Sequence, residues 1–152
     1  MQAYLELLAT DRSLLVPVLG SLAEMPLDNS EKNTVVEATQ SLLDAAEEGD
    51  IPAVVKSLLS MVTKSSAPKA LGRLRTECSR IQSGTLSLTM EVIGRFVSAG
   101  SVALAALLRL IRHVEPLTTF DILSLTLVMG KSAENEVCFS VAFKKGLVSY
   151  TI

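Results

Sequence analysis

Apolar residues along this chain recur at helical spacing. From Ile51 to Thr63 they fall at Ile51, Val54, Val55, Leu58, Leu59 and Val62. That is the i, i+3, i+4, i+7 pattern of one buried helical stripe. Lys56, Ser57 and Ser60 lie off it. The stretch before repeats the pattern with Val35, Ala38, Leu42, Leu43 and Ala46. No segment alternates with the two-residue period of a half-buried strand.

Between these two helices runs "EEGDIP", from Glu47 to Pro52. Gly49 is suited to the left-handed conformation that closes a helix. Asp50 is suited to accept from the free amides that open the next one. Pro52 falls in a first turn, where its missing N–H costs nothing. A connection this short predicts an antiparallel hairpin. The same grammar recurs downstream. Ser66 with Pro68 opens a helix to about Arg80, and Ser83 or Thr85 one to about Ser98. Gly100 and Ser101 precede a helix ending near His113, and Pro116 with Thr118 or Thr119 one ending at Met129. Gly130 as C-cap and Ser132 as N-cap separate that from a last helix ending at Gly146. Upstream, Ser13 to Met25 reads as a helix, with Pro17 forcing a kink or a later start. Tyr4 to Leu8 reads as the tail of another.

This makes an all-α chain of about eight short helices. Hairpins repeat roughly every thirty to forty residues, the range of HEAT and armadillo-like units. The expected architecture is a single right-handed α-solenoid segment of antiparallel helical hairpins spanning residues 1–152. One closed helical bundle is the alternative. Apolar residues make up 49% of the chain and charged residues 20%. That balance favours the solenoid, whose inner repeats are covered on two sides, and suggests a piece of a longer helical protein.

No apolar run approaches the ~20 residues of a membrane span. The N-terminus lacks a basic start and a small-residue cleavage site, so no signal peptide is expected. Two cysteines, Cys78 and Cys138, are too few for a disulfide framework. Reduced thiols in an intracellular compartment are the simplest reading.

Net charge is −2, unevenly spread. Residues 1–55 carry two basic and ten acidic groups, and residues 56–112 carry nine basic and two acidic ones. In the basic middle, Lys69, Arg73 and Arg80 are spaced by four and seven, so they share a helical face. Lys64 lies in the turn before them and Arg75 leans to the other side. These five residues are the candidate contacts for duplex DNA or for a protein partner. No aromatic residue is interleaved, which argues against reading of single strands. An ordinary solvated face is the plainer account of the same pattern.

Other candidate chemistry is weak. Glu47, Glu48 and Asp50 have no nearby His or Cys, and helix punctuation explains them. "GKS" at Gly130–Ser132 lacks the earlier Gly and the preceding strand of a phosphate loop. His113 is the only histidine and makes no metal site alone. Neither cysteine has a His partner for nucleophilic work, and both are expected to be buried. No catalytic residue, metal, cofactor or small-molecule substrate is indicated, and an enzyme is not expected.

Taken in order, "SLLVPVLGSLAEMPLD", "VVEATQSLLDAAEEGDIPAVVKSLLSMVT" and "LGRLRTECSRIQ" resemble the Fanconi anaemia complementation group D-two family. "MEVIGRFVSAG" and "TFDILSL" keep the same order and approximate spacing. The likeness runs over nearly the whole chain and rests on the colinear set, not on one motif. The paralogous group I family fits these residues less well. Between Gln82 and Leu86, where the family carries a longer polar insertion, this chain has a tight turn. The resemblance implies a nuclear scaffold for repair of DNA interstrand crosslinks. Such a protein pairs with its group I paralogue, clamps duplex DNA and is monoubiquitinated at a lysine in a later segment. No lysine of this chain is assigned that role.

Overall fold

The computed structural model describes residues 3, 6–7, 10–97, 101–113 and 116–131 of the chain. Among them there are seven α-helices and no strand: α1 Leu15–Glu24, α2 Asn29–Ala45, α3 Ile51–Met61, α4 Ala67–Cys78, α5 Ser83–Phe96, α6 Val102–His113 and α7 Thr119–Lys131. Short 3₁₀ turns at Arg12–Leu14 and Glu48–Asp50 precede α1 and α3. Of the segment predicted as a helical tail at Tyr4–Leu8, Glu6 and Leu7 are described, and both are helical. The helix predicted from Ser132 to Gly146 lies outside the described residues, as does Cys138.

Helices two apart in the chain are neighbours. α1 packs on α3, α3 on α5 and α5 on α7, while α2 packs on α4 and α4 on α6. α3 also meets α2, and α7 meets both α4 and α6. One continuous apolar core runs through all seven helices, from Leu15 in α1 to Leu125 in α7.

The stripe of α3 is buried as its spacing predicts at Ile51, Val54, Val55, Leu58 and Leu59, but Val62, its last predicted member, is only half-buried because the chain leaves the helix there in an extended conformation. Ser57 and Met61 are buried as well. The spacing puts Ser57 off the stripe; it is covered because α3 has neighbours on three sides, in α1, α2 and α5. α2 differs from expectation in the same direction. Val35 and Leu43 are buried, but Val36, Thr39 and Gln40 complete the face, while Ala38 and Leu42 are only half-buried.

Helix starts agree with the sequence in place more often than in mechanism. Pro17 stands in the first turn of α1, which begins late, behind the 3₁₀ turn. Asp11, not Ser13, makes the cap there: its Oδ1 accepts from the Ser13 N–H at 2.9 Å and the Ser13 hydroxyl at 2.8 Å. Those two bonds hold the Asp11 carboxyl below the ordinary carboxylate range. Pro52 and Pro68 sit in first turns as predicted. Ser101 caps α6, accepting from the Leu104 N–H at 3.1 Å. Thr118 opens α7: its hydroxyl accepts from the Asp121 N–H at 3.3 Å, and Asp121 accepts from the Thr118 N–H at 2.8 Å.

Several of the predicted caps are not formed. Ser66 makes no side-chain cap bond at the start of α4, and α5 starts at Ser83 behind Gln82, whose side chain makes no cap bond either, so neither Ser83 nor Thr85 caps it. Asp50 makes no side-chain cap bond, because the 3₁₀ turn already holds its backbone in the helical region. Gly49 is not left-handed; it lies inside that turn, with α2 leaving through an extended Ala46. Gly130 does not end α7, which runs on to Lys131. The strongest cap is elsewhere, at Asp28. Its carboxylate accepts from the Glu31 N–H at 2.8 Å while the Glu31 carboxylate accepts from the Asp28 N–H at 3.0 Å. This reciprocal pair is a capping box.

These differences set a test. Asp28→Ala is expected to destabilise the fold by roughly 1 kcal/mol, and Asp50→Ala by much less. Leu58, with no exposed surface, is expected to cost on the order of 2–5 kcal/mol as Leu58→Ala. Urea denaturation of the three variants, followed by circular dichroism, checks the order. Equal losses for Asp28→Ala and Asp50→Ala would count against this assignment of caps.

Candidate functional site

Helix α4 carries most of the basic run, and its neighbours decide what each cation can do. Lys69 and Arg73 are one turn apart on the side facing α2. There α2 presents Glu37 and Asp44, two turns apart. Lys69 Nζ lies 3.3 Å from Glu37 Oε1, and the Arg73 guanidinium binds the Asp44 carboxylate. Both pairs are exposed, so each contributes little to stability. They nevertheless neutralise the two cations locally. Arg80, just past the end of α4, pairs with Glu77 of the last turn at 3.3 Å. Lys64 is exposed in the turn before α4 and has no ion-pair partner among the described residues.

Arg75 turns the other way. Its Nε donates to Asp121 Oδ1 at 2.8 Å and Oδ2 at 3.0 Å, and its Nη2 to Oδ2 at 2.8 Å. A further bond runs from Nη2 to the Pro116 carbonyl at 3.2 Å. The Thr118 hydroxyl adds a bond to Asp121 at 3.0 Å. Asp121 is fully buried. Its hydrogen bonds to the guanidinium push the Arg75 pKa still higher, against the smaller effect of desolvation. The five candidate residues are therefore not brought together as one free stripe. Lys69 and Arg73 lie along α2, Arg80 and Lys64 are at the two ends of α4, and Arg75 fastens α4 to α7.

The carboxylates between α2 and α3 are also separated by use. Glu48 Oε1 accepts from the Gln82 N–H at 2.7 Å and so reaches the start of α5. Glu47 is exposed, and Asp50 closes the 3₁₀ turn through its backbone N–H to the Glu47 carbonyl at 2.9 Å. Among the described residues no group of three or more His, Cys, Asp or Glu could hold a metal ion. His113 is exposed at the end of α6. Cys78 is buried, and burial pushes its thiol up to about 12, which leaves it inert as a nucleophile at neutral pH. No helix among the described residues is long and apolar enough to cross a membrane.

Two further features emerge only in the folded chain. One is a polar cluster at the α3–α4 turn. Thr63 and Ser66 exchange backbone-to-hydroxyl bonds, at 3.0 and 3.3 Å, and the Thr63 hydroxyl donates to Asn33 Oδ1 at 2.7 Å. The spacing Thr-x-x-Ser carries part of that signal. The other is a groove of about 540 Å³ between α2 and α4, with Gln40 from α2 and Gly72 from α4 among its lining residues. Nothing in local spacing announces a groove formed by helices whose facing residues lie some thirty positions apart.

No protein-family model, no curated protein and no solved structure matches this chain.

The buried pair defines a measurement. Arg75→Ala leaves Asp121 charged and buried without its guanidinium, and is expected to cost on the order of 3–5 kcal/mol. Arg75→Ala combined with Asp121→Ala is expected to cost clearly less than the two single losses added together, in a denaturation cycle. Simple additivity would mean that the two side chains do not act as a unit.

Proposed function

We propose that this chain is a segment of a non-enzymatic helical-repeat scaffold that presents its surface to a protein partner. The observation that carries the reading is the neighbour order, in which helices two apart in sequence pack side by side in two series. That is the order expected of stacked hairpins in an α-solenoid of the HEAT or armadillo kind, whose units meet the next unit along. In a closed bundle of seven helices, the first and last would be expected to meet as well. Among the described residues, α1 and α7 share no substantial packing.

The resemblance to the Fanconi anaemia complementation group D-two family makes the proposal specific. On that reading the chain belongs to a nuclear scaffold for repair of DNA interstrand crosslinks, and its protein partner is the group I paralogue. Clamping of duplex DNA and monoubiquitination belong to the whole protein, with the ubiquitin acceptor elsewhere.

A second reading, a protein-interaction scaffold with no DNA role, is favoured by one observation. Lys69 and Arg73, the centre of the basic run, already face Glu37 and Asp44. Five of the nine cations in the basic middle, Lys69, Arg73, Arg75, Arg80 and Arg95, are ion-paired within the fold.

Two experiments separate these readings. In the first, the chain is mixed with purified group I paralogue and association is followed by sedimentation. Complex formation supports the partner assignment, and its absence removes it from this segment. In the second, duplex DNA is titrated at two salt concentrations against the wild type and a variant with Lys64, Lys69, Arg73 and Arg80 all changed to Gln. If the basic run meets DNA, binding weakens and the salt slope falls by about one for each phosphate no longer neutralised. Equal binding and equal slope leave the protein-interaction reading alone.

A further inference from the structure

The ion pairs of the fold leave four cations of the basic middle without a partner among the described residues, Lys56, Lys64, Arg109 and Arg112. Lys56 lies on α3 and Lys64 in the turn after it. Arg109 and Arg112 stand together on α6, with His113 beside them, and all three are exposed.

Positions three and four apart on a helix are neighbours, with ~5–6 Å between Cβ atoms. Arg109, Arg112 and His113 therefore share one face of α6, while Leu104, Leu107 and Ile111 are buried on the other. The surroundings offer this face no anion. α6 itself has no Asp or Glu. Its main neighbours are α4 and α7. The one acid of α4, Glu77, holds Arg80, and the one acid of α7, Asp121, is buried against Arg75.

We propose that this face of α6 binds a phosphorylated side chain of a protein partner, with Arg109 and Arg112 holding the phosphate. The inference deepens the scaffold reading and rests on it.

Charge and size select the ligand. The two guanidiniums place two positive charges within one turn of helix. A phosphorylated Ser or Thr carries a charge of about −1.5 to −2 at neutral pH on three acceptor oxygens, so one compact group matches both cations. A single carboxylate would leave one of them unmatched. Both cations are Arg, whose planar fork bonds phosphate through two parallel N–H groups, as the point charge of Lys does not. His113 offers an N–H donor in either protonation state.

Duplex DNA fits this face less well. Its affinity comes from many phosphates in a row, which calls for an extended run of free cations. The unmatched charge here is confined to one helix end. On α4, next along the same series, Lys69 and Arg73 already face Glu37 and Asp44.

Cations in a last turn also complement the helix dipole. That task accounts for Arg112 and His113, but Arg109 stands a turn further in, where the dipole effect has fallen off. Removing its guanidinium should therefore leave the fold intact and weaken the binding.

The test starts from the purified chain and a library of dodecapeptides that each carry one phosphoserine or phosphothreonine. The best binder is synthesised phosphorylated, unphosphorylated and with Glu at the modified position. Each form is titrated against wild type, Arg109→Gln, Arg112→Gln and Lys64→Gln by fluorescence anisotropy. Removal of the phosphate is expected to weaken binding to wild type at least about tenfold, with the Glu form between. Arg109→Gln and Arg112→Gln are each expected to lose about as much for the phosphorylated form and little for the unphosphorylated one, whereas Lys64→Gln binds as wild type. Arg109→Gln is expected to melt at the wild-type temperature. Arg109→Lys, which keeps the charge and loses the fork, replaces it if that variant does not fold, and is expected to bind more weakly than wild type. Failure to enrich any peptide would overturn the proposal, as would phosphopeptides that bind both Arg variants as tightly as wild type. Peptides that bind equally with and without phosphate would overturn the phosphate site and leave a protein-interaction scaffold standing. Duplex DNA that displaces the phosphopeptide from wild type, and itself binds Arg109→Gln more weakly, would replace the phosphorylated partner by nucleic acid.

Discussion

Burial of α3 on three sides is the constraint from which the rest of this structure follows. Ile51, Val54, Val55, Leu58, Leu59 and Met61 are all buried. Its neighbours α1, α2 and α5 come from both directions along the chain. A helix with so wide an apolar surface cannot be covered by one partner, since a single neighbouring helix buries only a stripe. α1 and α5 therefore flank it, while α2 meets it from the other series of helices. The same logic is passed on, because α5 in turn requires α7. Where those two meet, α5 holds Gly94, at which an added Cβ would come within 2.9 Å of the Leu127 side chain. Hydrophobic burial thus organises the first series by volume, through large residues in α3 and a missing side chain in α5.

The second series, α2, α4 and α6, is organised more by polar matching. α2 buries Thr39 and Gln40 beside its valines. Thr39 resolves its hydroxyl locally, donating to the Val35 carbonyl at 2.7 Å, whereas Gln40 has no such local solution for its donor. α2 and α4 are bridged at the surface by the Lys69–Glu37 and Arg73–Asp44 pairs. Exposed pairs of this kind stabilise little. The buried ionic link between Arg75 and Asp121 ties this series to α7. The two series thus differ in what joins their members, the first chiefly apolar packing and the second also polar and ionic links.

What the sequence makes legible follows from the range of each interaction. Periodicity is local, so α3 and most of its stripe are legible from i, i+3 and i+4 spacing, and the places of α4 and α6 from the Ser, Pro and Gly residues that flank them. First-turn Pro52 and Pro68 and the caps at Ser101 and Thr118 are legible for the same reason. Asp50 and Gly49 mislead because several local solutions exist for one short turn. A 3₁₀ turn satisfies the backbone without a side-chain cap or a left-handed glycine. The Asp28–Glu31 box is a spacing signal of the same local kind, an Asp followed three residues later by a Glu. Ser57 and Gln40 cannot be assigned from spacing, since their burial is decided by helices distant in sequence. The ion pairing of the basic run is hidden for that reason too. Its spacing places Lys69 and Arg73 correctly on one face of α4, but not the acidic face of α2 that meets them.

The acidic first third and the basic middle are thereby two halves of one arrangement, at least in part. Glu37 and Asp44 sit seven residues apart on α2, and Lys69 and Arg73 four apart on α4. Seven residues span two turns of one helix and four span about one turn of the other. Long flexible side chains close the difference, which they can do because both pairs lie in solvent. A charge asymmetry along a sequence is often read as a tail or patch for an oppositely charged partner. Here two of the ten acids and two of the nine cations are matched to each other within the fold, across the groove between α2 and α4.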